Sequence, residues 1–242
     1  MRGGAGMSLA SVSATQPLLS LRQVRKIYGE GAGAVAAVRG VDLDLLPGEF
    51  TLLMGPSGSG KTTLLMMMGC LLKPTSGTVA VAGREVQGLP EHALPAVRLR
   101  HLGYIFQGFN LFPALTACEN VEVALDLKGV RGRAARAVAA RHLERIGLEH
   151  RLDHRPEDLS GGEKQRVAIA RALAAEPPII LADEPTASLD SSTGHRVTEL
   201  LRQLAREEGR TVFVVTHDPR ILDLADRVLH MEDGSIVKDE RT

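Results

Sequence analysis

Cysteine is nearly absent from this chain. Cys70 and Cys118 lie far apart and outside any C-x-x-C pairing, which excludes a disulfide framework and a cysteine-held zinc site. A reducing compartment fits that usage. Net charge is absent too: 29 basic residues balance 29 acidic ones, so nothing steers the chain over long range to nucleic acid or an anionic membrane. Long apolar runs are missing. The richest, LLMMMGCLL at 64–72, is about half the eighteen or so residues of a membrane span and contains a glycine. Residues 1–20 are small and polar, without the continuous apolar core of a signal peptide. They read as a flexible tail ahead of one domain over 21–242, with Met7 as a second candidate start. There is no internal repeat and no low-complexity tract.

What the chain does contain is a series of short, β-branched apolar runs: FTLLMG (50–55), IILAD (179–183) and TVFVVT (211–216). Near-continuous apolarity over five or six residues indicates strands buried on both faces, as in a parallel sheet covered by helices. Helical patterns follow the strands at 61–72, 163–176 and 194–208. This alternation predicts an α/β fold. Between about 98 and 160 the texture changes. RGRAARAVAARHLERIGL (131–148) has helical spacing and strand signals are scarce, so a mainly helical subdomain is expected there, inserted into the α/β core.

GPSGSGKT at 55–62 matches G-x-x-x-x-G-K-[ST], follows a strand and opens a helix, which is the context that motif requires. Gly55, Pro56, Ser57, Gly58, Ser59 and Gly60 form a loop whose backbone N–H groups can curl around phosphates. Lys61 reaches the β- and γ-oxygens, and the Thr62 hydroxyl, followed by Thr63, is placed to ligate Mg²⁺. IILADE at 179–184 complements it. Asp183 ends a buried strand and can hold Mg²⁺, while the adjacent Glu184 suits a general base acting on water.

LSGGEKQRVAIARAL at 159–173 holds a second anion site. Ser160 and Glu163 make a capping box, and Gly161 and Gly162 leave the N–H groups of a helix start open. Taken with the phosphate loop, with Gln107 in YIFQGFNLFP, with IILADE, with SLD at 188–190 and with His217, the chain resembles the ATPase subunit of an ABC transporter. LSGGE is that family's signature, and the motifs follow in the family's order over roughly 21–235. The resemblance implies a P-loop NTPase core with a mainly parallel sheet, an N-terminal antiparallel β region and an inserted helical subdomain. It implies ATP and Mg²⁺ as ligands, and ATP hydrolysis as the activity.

The resemblance also assigns residues. Gln107, which follows a short strand GYIF at the edge of the helical subdomain, is expected to touch Mg²⁺ or the attacking water, and its loop to report nucleotide state to a partner. His217 is expected to bond the γ-phosphate and help hold Glu184 and the water. Asp190 would contact an opposing protomer, unless it simply caps the helix near 194. Tyr28 would stack on adenine, unless its ring packs on the core. His150 and His154, four apart, sit in what looks like a loop without a third ligand, which argues against a metal site.

Since the family's geometry separates LSGGE from its own phosphate loop, two copies are expected to pair head to tail, each ATP lying between GPSGSGKT of one and LSGGE of the other. Three of the five phenylalanines, Phe106, Phe109 and Phe112, crowd one loop. Phe106 is expected to fill the core of the helical subdomain. Phe109 and Phe112 either do the same or form an apolar surface that receives an integral-membrane permease between Gln107 and Phe112. The loop wording resembles the branch with lipoprotein-releasing, macrolide-export and cell-division systems, implying export, release or mechanotransmission at the cytoplasmic face of the inner or plasma membrane. ATPases of this kind that act on DNA or ribosomes are the alternative. Coiled-coil arms and a second cassette are both missing, and no nucleic-acid partner is expected.

Overall fold

The computed structural model describes residues 16–187 and 189–241. Strands β1 (Leu19–Tyr28) and β2 (Val35–Leu45) pair antiparallel, and β3 (Phe50–Met54) leads through the phosphate loop into helix α1 (Lys61–Met68). Next come β4 (Ser76–Val81), β5 (Arg84–Glu85), α2 (Leu94–His101) and β6 (Leu102–Ile105). Three helices follow: α3 (Ala117–Leu127), α4 (Gly132–Arg145) and α5 (Gly161–Ala174). The chain ends with β7 (Ile179–Asp183), α6 (Ser191–Glu208), β8 (Thr211–Val215), β9 (Arg227–Glu232) and β10 (Ser235–Arg241).

Two sheets result. The first is antiparallel with order β2-β1-β4-β5, and the second has order β10-β9-β3-β8-β7-β6, parallel throughout except for β10. Strands β7 and β8 are buried at every position, which is why their sequences are apolar without alternation. Side chains still alternate between faces. Leu53, Leu181 and Phe213 pack with α1 and the antiparallel sheet, whereas Leu52, Ile180 and Val212 pack with Val197 and Leu201 of α6. A third core joins Cys118 and Val121 of α3, Leu143 of α4 and Val167 of α5 into the helical lobe.

Several boundaries differ from the sequence expectations. Strand β1 already includes Leu19, fully buried, and Ser20, so the tail expected over 1–20 stops short of them; residues 1–15 lie outside the described residues. β6 falls inside the stretch assigned to the helical insert, yet it pairs with β7 in the main sheet. Gly103 explains why this strand tolerates a glycine: a Cβ there would sit 2.7 Å from the Ala172 carbonyl oxygen. Helix α1 ends at Met68 instead of residue 72, because Gly69 caps it and Cys70 turns left-handed at φ 54°. Both cysteines are buried free thiols; burial pushes Cys70 up to about 11, and burial with Glu122 pushes Cys118 up to about 12.

Candidate active site

The loop between β3 and α1 is shaped by its neighbours. A Cβ on Gly55 would lie 2.1 Å from the Met231 carbonyl oxygen, and one on Gly60 2.1 Å from that of Ala37. Both residues also take positive φ, 152° and 100°, so backbone from β9 and β2 leaves room for glycine alone. Gly60→Ala is therefore expected to cost about 3 kcal/mol, read by urea unfolding, since neither the carbonyl nor the dihedral can yield cheaply. Pro56, Ser57 and Gly58 are exposed at the loop's crest, and Ser59 is buried with its hydroxyl lacking a hydrogen-bond partner.

Lys61 folds across the loop, its ammonium donating to the carbonyls of Gly55 (2.8 Å) and Pro56 (2.7 Å). Burial lowers its pKa, and the nearby Glu184 and Asp183 carboxylates oppose that. Thr62 donates its hydroxyl to Asp183 at 3.2 Å, so the two oxygens named for Mg²⁺ already meet. Thr63 follows, half-buried on α1. Burial raises the Asp183 pKa, while the Thr62 hydrogen bond pulls the other way. A divalent cation would relieve that buried carboxylate, and an oxygen pair of this kind is the donor set a hard cation prefers.

Glu184 is held at φ 45°, in the left-handed region, by its N–H donating to the Val215 carbonyl at 2.9 Å. That turn brings its carboxylate to the end of β8, where Oε1 lies 2.8 Å from Nδ1 of His217. The other oxygen, Oε2, is buried without a partner. A buried carboxylate oxygen with a free lone pair, its twin fixed by an imidazole, is equipped to take a proton from water. The strand order explains the convergence. The carboxyl ends of β3, β8, β7 and β6 stand side by side and deliver the phosphate loop, His217, Asp183 with Glu184, and Gln107 to one edge. Gln107 is exposed there. The open amides, the orphaned Ser59 hydroxyl and the Thr62–Asp183 pair fit a Mg-nucleotide.

Tyr28 ends β1 with an exposed ring, 45% accessible, so packing on the core does not describe it. It pairs with Val35, two residues from the Ala37 that presses on Gly60, and Lys26 sits 5.3 Å from the ring centroid.

The signature residues form the start of α5. Ser160 accepts from the Glu163 N–H (3.3 Å), and Glu163 accepts from the Ser160 N–H (2.8 Å), closing the capping box. These bonds, joined by Arg151 at 2.9 Å, hold the Glu163 carboxyl below the ordinary range. A Cβ on Gly162 would meet Thr193 of α6 at 2.9 Å. Ser160, Gly161, Gly162 and Glu163 face a cleft with Asp190 and Arg196, and none of residues 55–62 lines it. Asp190 caps α6, accepting from the Ser192 hydroxyl at 2.7 Å, which leads in lowering its pKa, and from the N–H groups of Ser192 and Thr193, both at 3.0 Å. Ser188 lies outside the described residues. His150 pairs with Glu149 and His154 with Arg151.

The helical lobe's core is built without the phenylalanines. Phe106 instead lies against Tyr104 of the main sheet, the ring centroids 4.3 Å apart and the planes tilted by 37°, which corrects its assignment to the lobe core. Phe109 is half-buried and Phe112 is 47% exposed. Three residues not singled out from sequence support the site. Arg151 braces the signature cap. Asn120 and Arg171 anchor the loop of Gln107. Asn120 was detectable as a lone amide on an apolar helix face; the two arginines were not, since their partners are distant in sequence.

With that geometry in place, known proteins supply the decision. The family model described as ABC transporter matches residues 38–187. The chain belongs to the ABC transporter family. It is 47% identical over 224 residues to an uncharacterized ABC transporter ATP-binding protein of Thermotoga maritima, covering 93% of this chain and 95% of that one. It is 48% identical to the macrolide export ATP-binding/permease protein MacB 1/2 of Paracoccus denitrificans over 93% of this chain, but spans only 34% of that longer protein. Among solved structures it superposes on the ATP-binding cassette MJ0796, solved as a dimer bound to ADP and Pi, with TM-score 0.88, 44% identity and coverage of 92% and 98%. The chain is thus an ABC cassette, an ATPase built on an antiparallel sheet and a mainly parallel P-loop sheet. Among the described residues no helix is long and apolar enough to cross a membrane.

Proposed function

We propose that this ABC cassette hydrolyses Mg-ATP between two copies of itself and passes the resulting motion to an integral-membrane permease. The observation that carries the reading is the separation of the two anion sites: none of residues 55–62 lines the cleft that the signature faces, so a second chain is what would bring the two together on one nucleotide. The dimeric form reported for the MJ0796 cassette supports it.

Each residue then has a task. Free backbone N–H groups of the phosphate loop, to which Pro56 contributes none, and the Lys61 ammonium neutralise the phosphates of one copy's nucleotide, and the α5 start of the other adds its positive dipole end. Tyr28 stacks on the adenine, and Asp190 approaches the opposing copy while capping α6. Thr62, Asp183 and Gln107 would hold Mg²⁺, which supplies charge neutralisation at the β- and γ-oxygens when bound. Glu184 takes the proton of the attacking water at Oε2 as the new P–O bond forms and the bond to the β-phosphate breaks. His217 fixes Glu184 through Oε1 and hydrogen-bonds the γ-phosphate. The products are ADP and phosphate. Phosphate release from Mg-ATP by the purified chain tests this; a chain releasing none, alone or with a co-purified permease, would overturn it.

The exposed Phe112 and half-buried Phe109 offer the permease an apolar contact at the cytoplasmic face of the membrane. The macrolide-export relatives, named ATP-binding/permease proteins, support export, with lipoprotein release and mechanotransmission as close variants. No observation favours a DNA- or ribosome-acting role. Phe112→Ala is expected to lower permease-stimulated ATPase about tenfold while leaving the unstimulated rate within twofold, the loss of about one buried aromatic anchor. Equal loss of both rates would remove the docking role.

A further inference from the structure

The loop after β6 is fastened at one end only to the main sheet. From Phe109 onward it is tied to the helical lobe. Arg171 of α5 donates to the carbonyl of Phe109 at 2.9 Å and to that of Asn110 at 2.5 Å. The fully buried Asn120 of α3 donates to the carbonyls of Phe112 (3.1 Å), Leu115 (3.0 Å) and Thr116 (3.0 Å), and accepts from the Phe112 N–H at 2.7 Å. Between the two anchorages, Gln107 and Gly108 are exposed.

Arg171 is unusual in its company. Its guanidinium is partly buried, burial lowers its pKa, and among the described residues no carboxylate pairs with it. Its two acceptors belong to consecutive non-glycine residues in the left-handed region, Phe109 at φ 61° and Asn110 at φ 48°. A phenylalanine is disfavoured in that region, and the partly buried guanidinium has no carboxylate to offset its charge. A structure that merely needed to close a surface loop would avoid both. The planar fork of arginine gives each of the two adjacent carbonyls its own N–H donor, Nη2 for Phe109 and Nη1 for Asn110.

Arg171 stands on the helix whose first residues are the signature. Eleven residues separate Ser160 from Arg171, about 16 Å along a continuous α-helix. That helix is packed on two sides, into the lobe core through Val167, Ala170 and Ala174 and into the main-sheet core through Ile169, Ala172 and Leu173, so it is a stiff link from the signature to Arg171. We propose that Arg171 is a positioning residue that locks the Phe109–Asn110 turn to the signature helix, so that engagement of the signature by a second copy's nucleotide displaces the loop carrying Gln107. The flex then falls on Gln107 and Gly108, between the sheet-bound Phe106 and the lobe-bound Phe109. This rests on the ATP-bridged dimer proposed above.

The test is amide hydrogen exchange in the full chain carrying Glu184→Gln, with and without Mg-ATP, comparing Arg171 with Arg171→Gln. In the parent, Mg-ATP is expected to slow exchange several-fold both at 160–164 and at 106–112. In Arg171→Gln the slowing at 160–164 persists and that at 106–112 is lost. Persistence of both in Arg171→Gln overturns the positioning role while leaving the dimer standing. Absence of slowing at 160–164 in the parent overturns the dimer reading, and this inference with it. Should Arg171→Gln fail to fold, Arg171→Lys keeps the charge without the fork and carries the same comparison.

Discussion

Replacing Glu184 by glutamine is expected to lower ATP turnover by three orders of magnitude or so while leaving nucleotide binding intact. The amide is isosteric with the carboxylate, and its oxygen can still accept from His217 at the 2.8 Å contact, so the turn at φ 45° and the end of β8 stay in place. What disappears is basicity at the buried, unpartnered Oε2, and general-base removal costs about 10²–10⁴-fold. Lys61, Thr62 and Asp183 are untouched. Nucleotide therefore binds and is not consumed, and the ATP-bridged dimer accumulates. Size exclusion with saturating Mg-ATP should show Glu184→Gln as a dimer and the parent as mainly monomer. A variant that turns over within tenfold of the parent removes Glu184 from the role of base. One that stays monomeric with Mg-ATP, even with its permease, removes the bridging role of the nucleotide.

How much of this site was legible in the sequence follows from how local each feature is. The phosphate loop and the signature cap are built from residues within eight positions of one another, and their geometry needs little beyond the strand or helix they adjoin. FTLLM, IILAD and TVFVV read as strands because burial on both faces leaves no polar alternation to confuse them. Element ends were less legible. Cys70 at φ 54° and Glu176 at φ 50° end α1 and α5 in left-handed turns that a non-glycine residue does not advertise. β6 is legible as a short strand, GYIF, at the edge of the helical lobe, but four residues with a glycine and a tyrosine do not say that it pairs with β7 in the main sheet. That Phe106 stands at a strand end is legible; that its ring lies against Tyr104 of the sheet and not in the lobe core is a tertiary contact that local sequence does not carry. Asp190 shows the reverse. Its capping role is local and legible, whereas contact with a second chain is not a property of one chain's sequence. The anchors of the Gln107 loop, Arg171 and Asn120, act across the lobe and surface only when the helices are packed.

The division of one ATP site between two chains has a consequence that no single-chain mechanism shares. Lys61→Ala removes the phosphate loop's cation. Gly161→Asp places a carboxylate at the first turn of α5, where it favours the helix dipole and spares the fold but repels a phosphate. Each variant alone is expected to fall below a hundredth of the parent rate, since an uncompensated charge at a phosphate contact costs several kcal/mol. In a head-to-tail heterodimer, however, both lesions fall in the same composite site. The other site pairs the intact Lys61 of the Gly161→Asp chain with the intact signature of the Lys61→Ala chain. Random mixing of equal amounts should therefore restore on the order of a quarter of the parent activity, from half the dimers each with one sound site. Steady-state phosphate release from the mixture, compared with each variant at the same total concentration, reads this directly. If the signature served its own chain's phosphate loop, both partners would be dead in cis and the mixture would add nothing; that outcome would assign LSGGE to its own chain's nucleotide and remove the composite site.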